Sequence, residues 1–461
     1  MAKGAYIGVG GVARKVKKGY IGAPNTTVVA SGSQNVKVFV GDEICWKFSD
    51  YTASGGLIIP TNPTQVVTSD AVAGDYITLA NPSAGVTSIY KVISMTNQMD
   101  DGWDMKVQTY VARLASNGTA HKIKKAYIGI GGVARPCWSG GELAYYGTIT
   151  GLSVARKSLA ATTVGNYALF GGGNSGSSAV KTVDAYNASL TRTIPEALYS
   201  EKCSLSATTV GNYALFGSGS YVYSYGSAVD AYDTSLTRTS PISMSKGGYN
   251  YAATTVGNYA LFGGGYSSSE SSKVDAYDTS LTRTLPTTLS SPAEELAATT
   301  VGNYALFGGG HDGNSVIGIV NAYDTSLTRT SATSMSISRA ALAATTVGEY
   351  ALFGGGRAFN VTTVVDAYNS ALTRSTATEL SVARQELTAT SVEGFALFGG
   401  GYPQYATIDA YDLSLTRSIP TSLSQGRAGL AATSISNYAL FGGGYANGLG
   451  SFANVDAYVV A

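Results

Sequence analysis

From about residue 144 onward the chain repeats one cassette: aromatic-Ala-Leu-Phe-Gly-x-Gly, a variable stretch, then Val/Ile-Asp/Asn-Ala-Tyr. The seven cassette phenylalanines, Phe170, Phe216, Phe262, Phe307, Phe353, Phe398 and Phe441, recur every 43 to 46 residues, a period that suits one four-stranded propeller blade per copy. In the first period, residues 160–164 read as a strand of small residues and Gly165-Asn166 as a tight turn. Residues 167–170 form a second strand halted by Gly171-Gly172-Gly173, residues 183–186 a third, and residues 190–194 the start of a fourth. No part of the period carries a helical pattern. So small a sheet cannot bury its faces alone and must stack on its neighbours, and alanine and glycine at repeated positions let adjacent blades crowd near an axis.

The strand count predicts how the ring closes. The last cassette ends at Val455-Asp456-Ala457-Tyr458 with three residues to follow, too few for another strand. Upstream, Gly151-Leu152-Ser153-Val154-Ala155-Arg156 matches Glu379-Leu380-Ser381-Val382-Ala383-Arg384, a segment that follows an internal fourth strand. A strand over residues 146–150 is therefore expected to complete the seventh blade and remove two open sheet edges. The acid used once per cassette, Asp184, Asp230, Asp275, Asp366, Asp409 and Asp456, with Asn321 in the fourth copy, points to a structural task. It is expected to cap backbone N–H groups or to meet the arginine of the repeated Leu-Thr-Arg: Arg192, Arg238, Arg283, Arg329, Arg374 and Arg417.

The glycine run closing each second strand, the Val-Asp-Ala-Tyr type of third strand and the period together resemble the Kelch-repeat propeller family over roughly two-thirds of the chain. The family's usual tryptophan near the fourth strand is absent, and Leu-Thr-Arg stands there instead. The expected fold is all-β: a seven-bladed β-propeller of four-stranded blades over residues 144–461, closed by the strand in 144–152, behind a small β-rich N-terminal domain.

The first 143 residues are organised differently. Ala5-Tyr6-Ile7-Gly8-Val9-Gly10-Gly11-Val12-Ala13-Arg14 returns as Ala126-Tyr127-Ile128-Gly129-Ile130-Gly131-Gly132-Val133-Ala134-Arg135, with a shorter echo at Lys17-Lys18-Gly19-Tyr20-Ile21-Gly22. Each copy reads as a short strand and a glycine turn. Residues 1–25 and 117–143 are thus two glycine-rich arms around a β-module, residues 26–116, with strand-like runs at 35–40, 44–48, 75–79, 87–94 and 104–113. The glycines do not form a nucleotide loop, because no Lys-Ser/Thr pair follows and no βαβ unit is present. The motif resembles a segment of tail and baseplate-associated proteins of phages and prophages of Gram-positive bacteria. That resemblance implies a virion component, assembled in the bacterial cytoplasm, attached to other particle subunits through this region and homo-oligomeric within the particle.

Composition narrows the function classes. Among 461 residues there are 57 glycines and 32 tyrosines, 13% are charged, and the net charge is +1, so no polyanion-binding surface is expected and nucleic acid is excluded as a partner. The basic runs at Lys15, Lys17, Lys18 and at Lys122, Lys124, Lys125 read as solvated faces, and Cys45, Cys137 and Cys203 are too scattered for a disulfide scaffold or metal cluster. No segment is long and apolar enough for membrane insertion. An enzyme would need a localised departure from the repeat. His121 and His311 lie in different domains, His311-Asp312 alone does not make an acid/base pair, and Glu270, Glu294, Glu295 and Asp312 are not in any fixed register for glycoside hydrolysis. No catalytic residue, metal or cofactor is assigned.

What remains is recognition. The turns after the first and third strands are nearly constant, while the loops joining strands two to three and four to one vary and emerge on one face. That face carries Tyr221, Tyr223, Tyr225, Tyr266, Phe359, Tyr402, Tyr405, Tyr445 and Phe452, aromatics suited to stacking on a host-surface glycan or docking on a protein. The alternatives are a decoration protein of the particle, with these rings lying over their own blades, and a carbohydrate-active propeller enzyme.

Overall fold

The computed structural model describes residues 142–221 and 224–460 in full and, between residues 5 and 139, the backbone of a set of strands. The chain divides into two compact units, Met1–Gly141 and Glu142–Ala461.

In the first unit the two glycine-rich arms are hairpins, Ala5–Val9 with Val12–Val16 and Lys125–Ile130 with Val133–Ser139. Their first strands pair antiparallel, with Tyr6 opposite Tyr127 and Ala5 opposite Ile128, so the duplicated motif forms one four-stranded sheet about a local two-fold. A second sheet runs in the order Thr119–Lys122, Gly102–Ser116, Val86–Gln98, Tyr76–Asn81, and Glu43–Lys47 also pairs with Gly102–Ser116. The residues between 17 and 22, the third echo, lie outside the described residues.

The second unit is a seven-bladed β-propeller of four-stranded antiparallel sheets. Blade one takes its inner strand from Ala160–Val164, then Tyr167–Gly171, Val183–Asn187 and the outer Arg192–Thr193. The same order repeats to blade seven, which holds Ala431–Ile435, Tyr438–Gly442 and Val455–Val460. Its outer strand is Leu143–Ile149, paired with Val455–Val460 through Leu143↔Val460, Thr148↔Asp456 and Ile149↔Val455, so the ring closes through the upstream strand as the repeat predicts.

The core lies between blades rather than inside them. One cluster joins Val164, Leu169 and Val183 of blade one to Ala214, Phe216 and Tyr232 of blade two, and another joins Phe170 and Tyr186 to Leu440, Val455 and Ala457 across the closure. The cassette Phe-Gly explains the fit. A Cβ on Gly171 would stand 2.7 Å from the ring of Phe216, and one on Gly442 would stand 2.8 Å from the ring of Phe170. Each phenylalanine therefore occupies the space that the neighbouring blade's glycine leaves empty. Inside the blade the same phenylalanine meets the third-strand tyrosine edge-on, as in Phe262–Tyr277 with centroids 6.0 Å apart. Nearest the axis, inner-strand threonines hydrogen-bond from blade to blade: Thr162 with Thr209, Thr254 with Thr300 and, across the closure, Thr163 with Thr433. These bonds explain why Ala-Ala-Thr-Thr-Val carries two adjacent hydroxylated side chains, which reach the blades on either side.

The third-strand acid does both tasks expected of it. Asp184 accepts the Ser153 N–H at 2.9 Å and lies 3.6 Å from Arg192, and Asp366 lies 3.1 Å from Arg374. A second cation, not foreseen, completes it. Arg156, Arg339, Arg384 and Arg427 are fully buried, pair with Asp184, Asp366, Asp409 and Asp456 at 2.6–2.7 Å, and also donate to the carbonyl of the cassette phenylalanine. Lys202 does the same for Asp230 at 2.8 Å. Blade four has Ala293 at this position and, correspondingly, Asn321 in place of the acid. Blade three has Gly248, keeps Asp275, and fills the space beside Gly265 with the ring of Tyr251. In blade seven Tyr145 replaces the outer-strand arginine and donates to Asp456 at 2.7 Å.

Candidate functional site

At one end of the axis every blade repeats the same piece of backbone. The second residue before the leucine, or in blade three Tyr251, at the head of each inner strand bridges the residue just past the glycine run of its own blade. These pairs are Lys157 with Asn174, Cys203 with Ser220, Tyr249 with Tyr266, Glu294 with His311, Ala340 with Arg357, Gln385 with Tyr402, and Ala428 with Tyr445. The next residue is left-handed in every blade: Ser158, Ser204, Asn250, Glu295, Ala341 and Glu386 at φ of 52–54°, and Gly429 at 61°. Their backbones join hands around the axis. Ser204 N–H donates to Ser158 O at 2.8 Å, Ala341 N–H to Glu295 O at 2.9 Å, and Ser158 N–H to Gly429 O at 2.8 Å. This ring, with the leucines that follow it and Tyr251 in blade three, lines an open axial cavity of about 340 Å³.

The frame is sevenfold but the side chains on it are not. In the sector of blades two to five, Tyr249 packs between Tyr225 and Tyr266, with centroids 5.6 and 5.5 Å away. Asn250 donates to Glu294 at 3.2 Å, and Arg357 pairs with Glu295. Burial raises the Glu294 carboxyl; the Asn250 bond opposes that shift, while Glu295 and Glu270 add to it. Burial and then Glu294 raise the Tyr249 phenol. Across the ring, the Lys157 ammonium stands 4.1 Å from the Tyr445 ring centroid, and the Tyr445 hydroxyl donates to Glu386 at 3.3 Å. Burial, then Glu386, pushes the Tyr445 phenol up.

The structure thus places Tyr266, Tyr402 and Tyr445 on the ring of bridges and Tyr225 against it. Tyr221 is half-buried over Gly226, with its hydroxyl bonded to Ser200 at 2.8 Å, so it lies down on its own blade. Phe359 is fully exposed at a loop tip, Tyr405 and Phe452 are half-buried in their loops, and Tyr223 lies outside the described residues. His311 Nδ1 accepts the Gly313 N–H at 3.1 Å, and Asp312 caps Asn314 and Ser315, which hold its carboxyl below the usual range. Both residues serve their own loop. Among the described residues no group of three His, Cys, Asp or Glu side chains is arranged to hold a metal. Sequence reasoning missed Tyr249, Asn250 and Glu386. The available signal was a residue that changes from copy to copy directly before a leucine that hardly changes.

No protein-family model matches the sequence, and no curated protein matches it. Among solved structures the chain is similar to one described as "Structure of YjhT", at 12% identity and a TM-score of 0.45, over 67% of this chain and 96% of that one. At that level the likeness carries no functional argument.

Proposed function

We propose that this chain is a component of a phage or phage-like particle, held through its N-terminal unit, whose propeller presents its loop face to a glycan or protein on the host surface. The glycine-rich motif at residues 5–14 and 126–135 supports the particle, and the cassette's resemblance to Kelch repeats supports a display scaffold. The observation that carries recognition is the contrast between the two faces. On the turn face the repeated Asp or Asn is spent on the turn itself, as where Asp278 accepts the Ser280 and Thr282 amides at 2.8 and 2.9 Å. On the loop face an equally regular backbone carries Tyr225, Tyr249, Tyr266, Tyr402 and Tyr445, rings that offer contact area at low ordering cost.

The test is binding of the labelled full chain to host cells. Changing Tyr225, Tyr249, Tyr402 and Tyr445 together to alanine removes anchors worth roughly 2 kcal/mol each when central to an interface. The expected result is at least a tenfold loss of cell-bound protein with the melting temperature nearly unchanged. Undiminished binding at unchanged stability contradicts the reading and leaves a structural role in the particle.

A further inference from the structure

We infer that the axial cavity is a socket for the terminal sugar of a glycan, neutral or amine-bearing, and that it rejects acidic sugars. The inference rests on the loop face being a recognition surface, and adds which part of that face selects, and for what charge.

Shape gives the first argument. The cavity, about 340 Å³, lies at the small end of the range of ligand sites, roughly 300–1,000 Å³. Each of the seven blades contributes two residues to its wall, and it opens outward, so a ligand reaches it along the axis. A round socket of this size admits a chain end.

The backbone gives the second. A left-handed conformation is disfavoured for residues with a Cβ, and Gly429 shows that glycine fits this ring. Six blades nevertheless keep a side chain there, and the side chains differ while the following leucine recurs in every blade but the third. Packing does not explain the variety, because these residues border a cavity.

Chemistry gives the third. Ser158, Ser204, Asn250, Glu295 and Glu386 bring hydroxyl, amide and carboxylate groups, the set that satisfies a polyol, and among the described residues no lysine or arginine lines the cavity. The nearby Arg357 is taken by Glu295, and Lys157 stands over the Tyr445 ring. An acidic ligand would face Glu386, and Glu295 with Glu294 and Glu270 beside it, against Arg357 and Lys157, whereas a hydroxyl or ammonium finds acceptors. In blade three Tyr251 stands in the lining where the other blades have leucine, giving the wall an aromatic side chain.

The full chain is tested on an array of glycans ending in neutral, amine-bearing or acidic sugars, beside the Glu295→Gly/Glu386→Gly variant. Glycine relieves the left-handed backbone, so the variant is expected to melt at the same or a higher temperature, yet to lose at least tenfold in binding to amine-bearing ends. Binding of wild type confined to neutral and amine-bearing ends, and competed by free monosaccharide, supports the socket. Binding confined to acidic ends, binding untouched by the variant, or binding to no glycan at all overturns it. If the four-tyrosine variant loses cell binding while the double-glycine variant retains it, the loop face still recognises the host and the socket alone is refuted.

Discussion

The third-strand carboxylate shows how one residue sets the limits of substitution in a repeat. Asp366 is buried between Arg339 and Arg374 and accepts the Ser336 amide, so taking away Arg339 leaves a buried charge half-compensated. Arg339→Ala is expected to cost roughly 3–5 kcal/mol in denaturant unfolding. Adding Asp366→Asn should recover part of that loss, because blade four already combines Ala293 with Asn321. Failure of the second change to recover anything would mean that the pairing of these two positions is coincidental. Asp275 in blade three kept its charge without a buried cation, and burial raises its carboxyl despite the Ser245 bonds, Arg283 and Lys273. A native carboxyl that holds its proton more tightly than the unfolded one makes stability fall as pH rises through the interval between the two. Asp275→Asn should therefore stabilise at pH 7, with the gain shrinking in acid as both states of the wild type become protonated. Paired thermal melts across that range check it. The acid and its outer arginine were legible in the sequence because both recur with the cassette. The inner arginine was not, because Lys202, Gly248 and Ala293 interrupt its recurrence.

At the scale of strands, the seventh blade is the point of vulnerability. Its outer strand comes from the other end of the propeller sequence and is held by the ladder to Val455–Val460 and by the Tyr145–Asp456 bond, with burial and then Asp456 pushing the Tyr145 phenol up to about 12. Tyr145→Phe should lose about 1.5–3 kcal/mol, the usual worth of a hydrogen bond to a charged group. Chains beginning at residues 142 and 153 differ by little more than this strand. The longer is expected to melt cooperatively and the shorter to aggregate through its exposed edges, and equal solubility and melting would contradict closure by this strand. Gly263→Ala probes the blade interface, since its Cβ would meet the Phe307 ring at 2.8 Å and overpacking costs roughly 1–3 kcal/mol. Blade strands could be read in advance because seven copies average out local ambiguity. The N-terminal unit offered only a duplicated hairpin, so its strands were readable from apolar runs but their pairing order was not.

For the whole molecule, the division is between a frame fixed by repetition and a mouth freed from it. The mouth was hardly legible in the sequence, because its ring positions lie one blade apart along the chain and each looks like ordinary variation until the propeller gathers them around the axis. Loop tyrosines were the visible clue, and among the described ones those on or against the ring, Tyr225, Tyr266, Tyr402 and Tyr445, meet other mouth groups. The most direct measurement is saturation substitution read twice, once for folded protein and once for binding to host cells. It should cover the left-handed ring, from Ser158 to Gly429, and the seven third-strand acid positions. Frame and mouth should separate: changes at Asp184, Asp366 or Asp456 deplete folded protein, whereas changes at Asn250, Glu295 or Glu386 spare folding and remove binding. Ring positions that tolerate every residue in both readouts, or that fail in folding as the acid positions do, would contradict a mouth built to recognise.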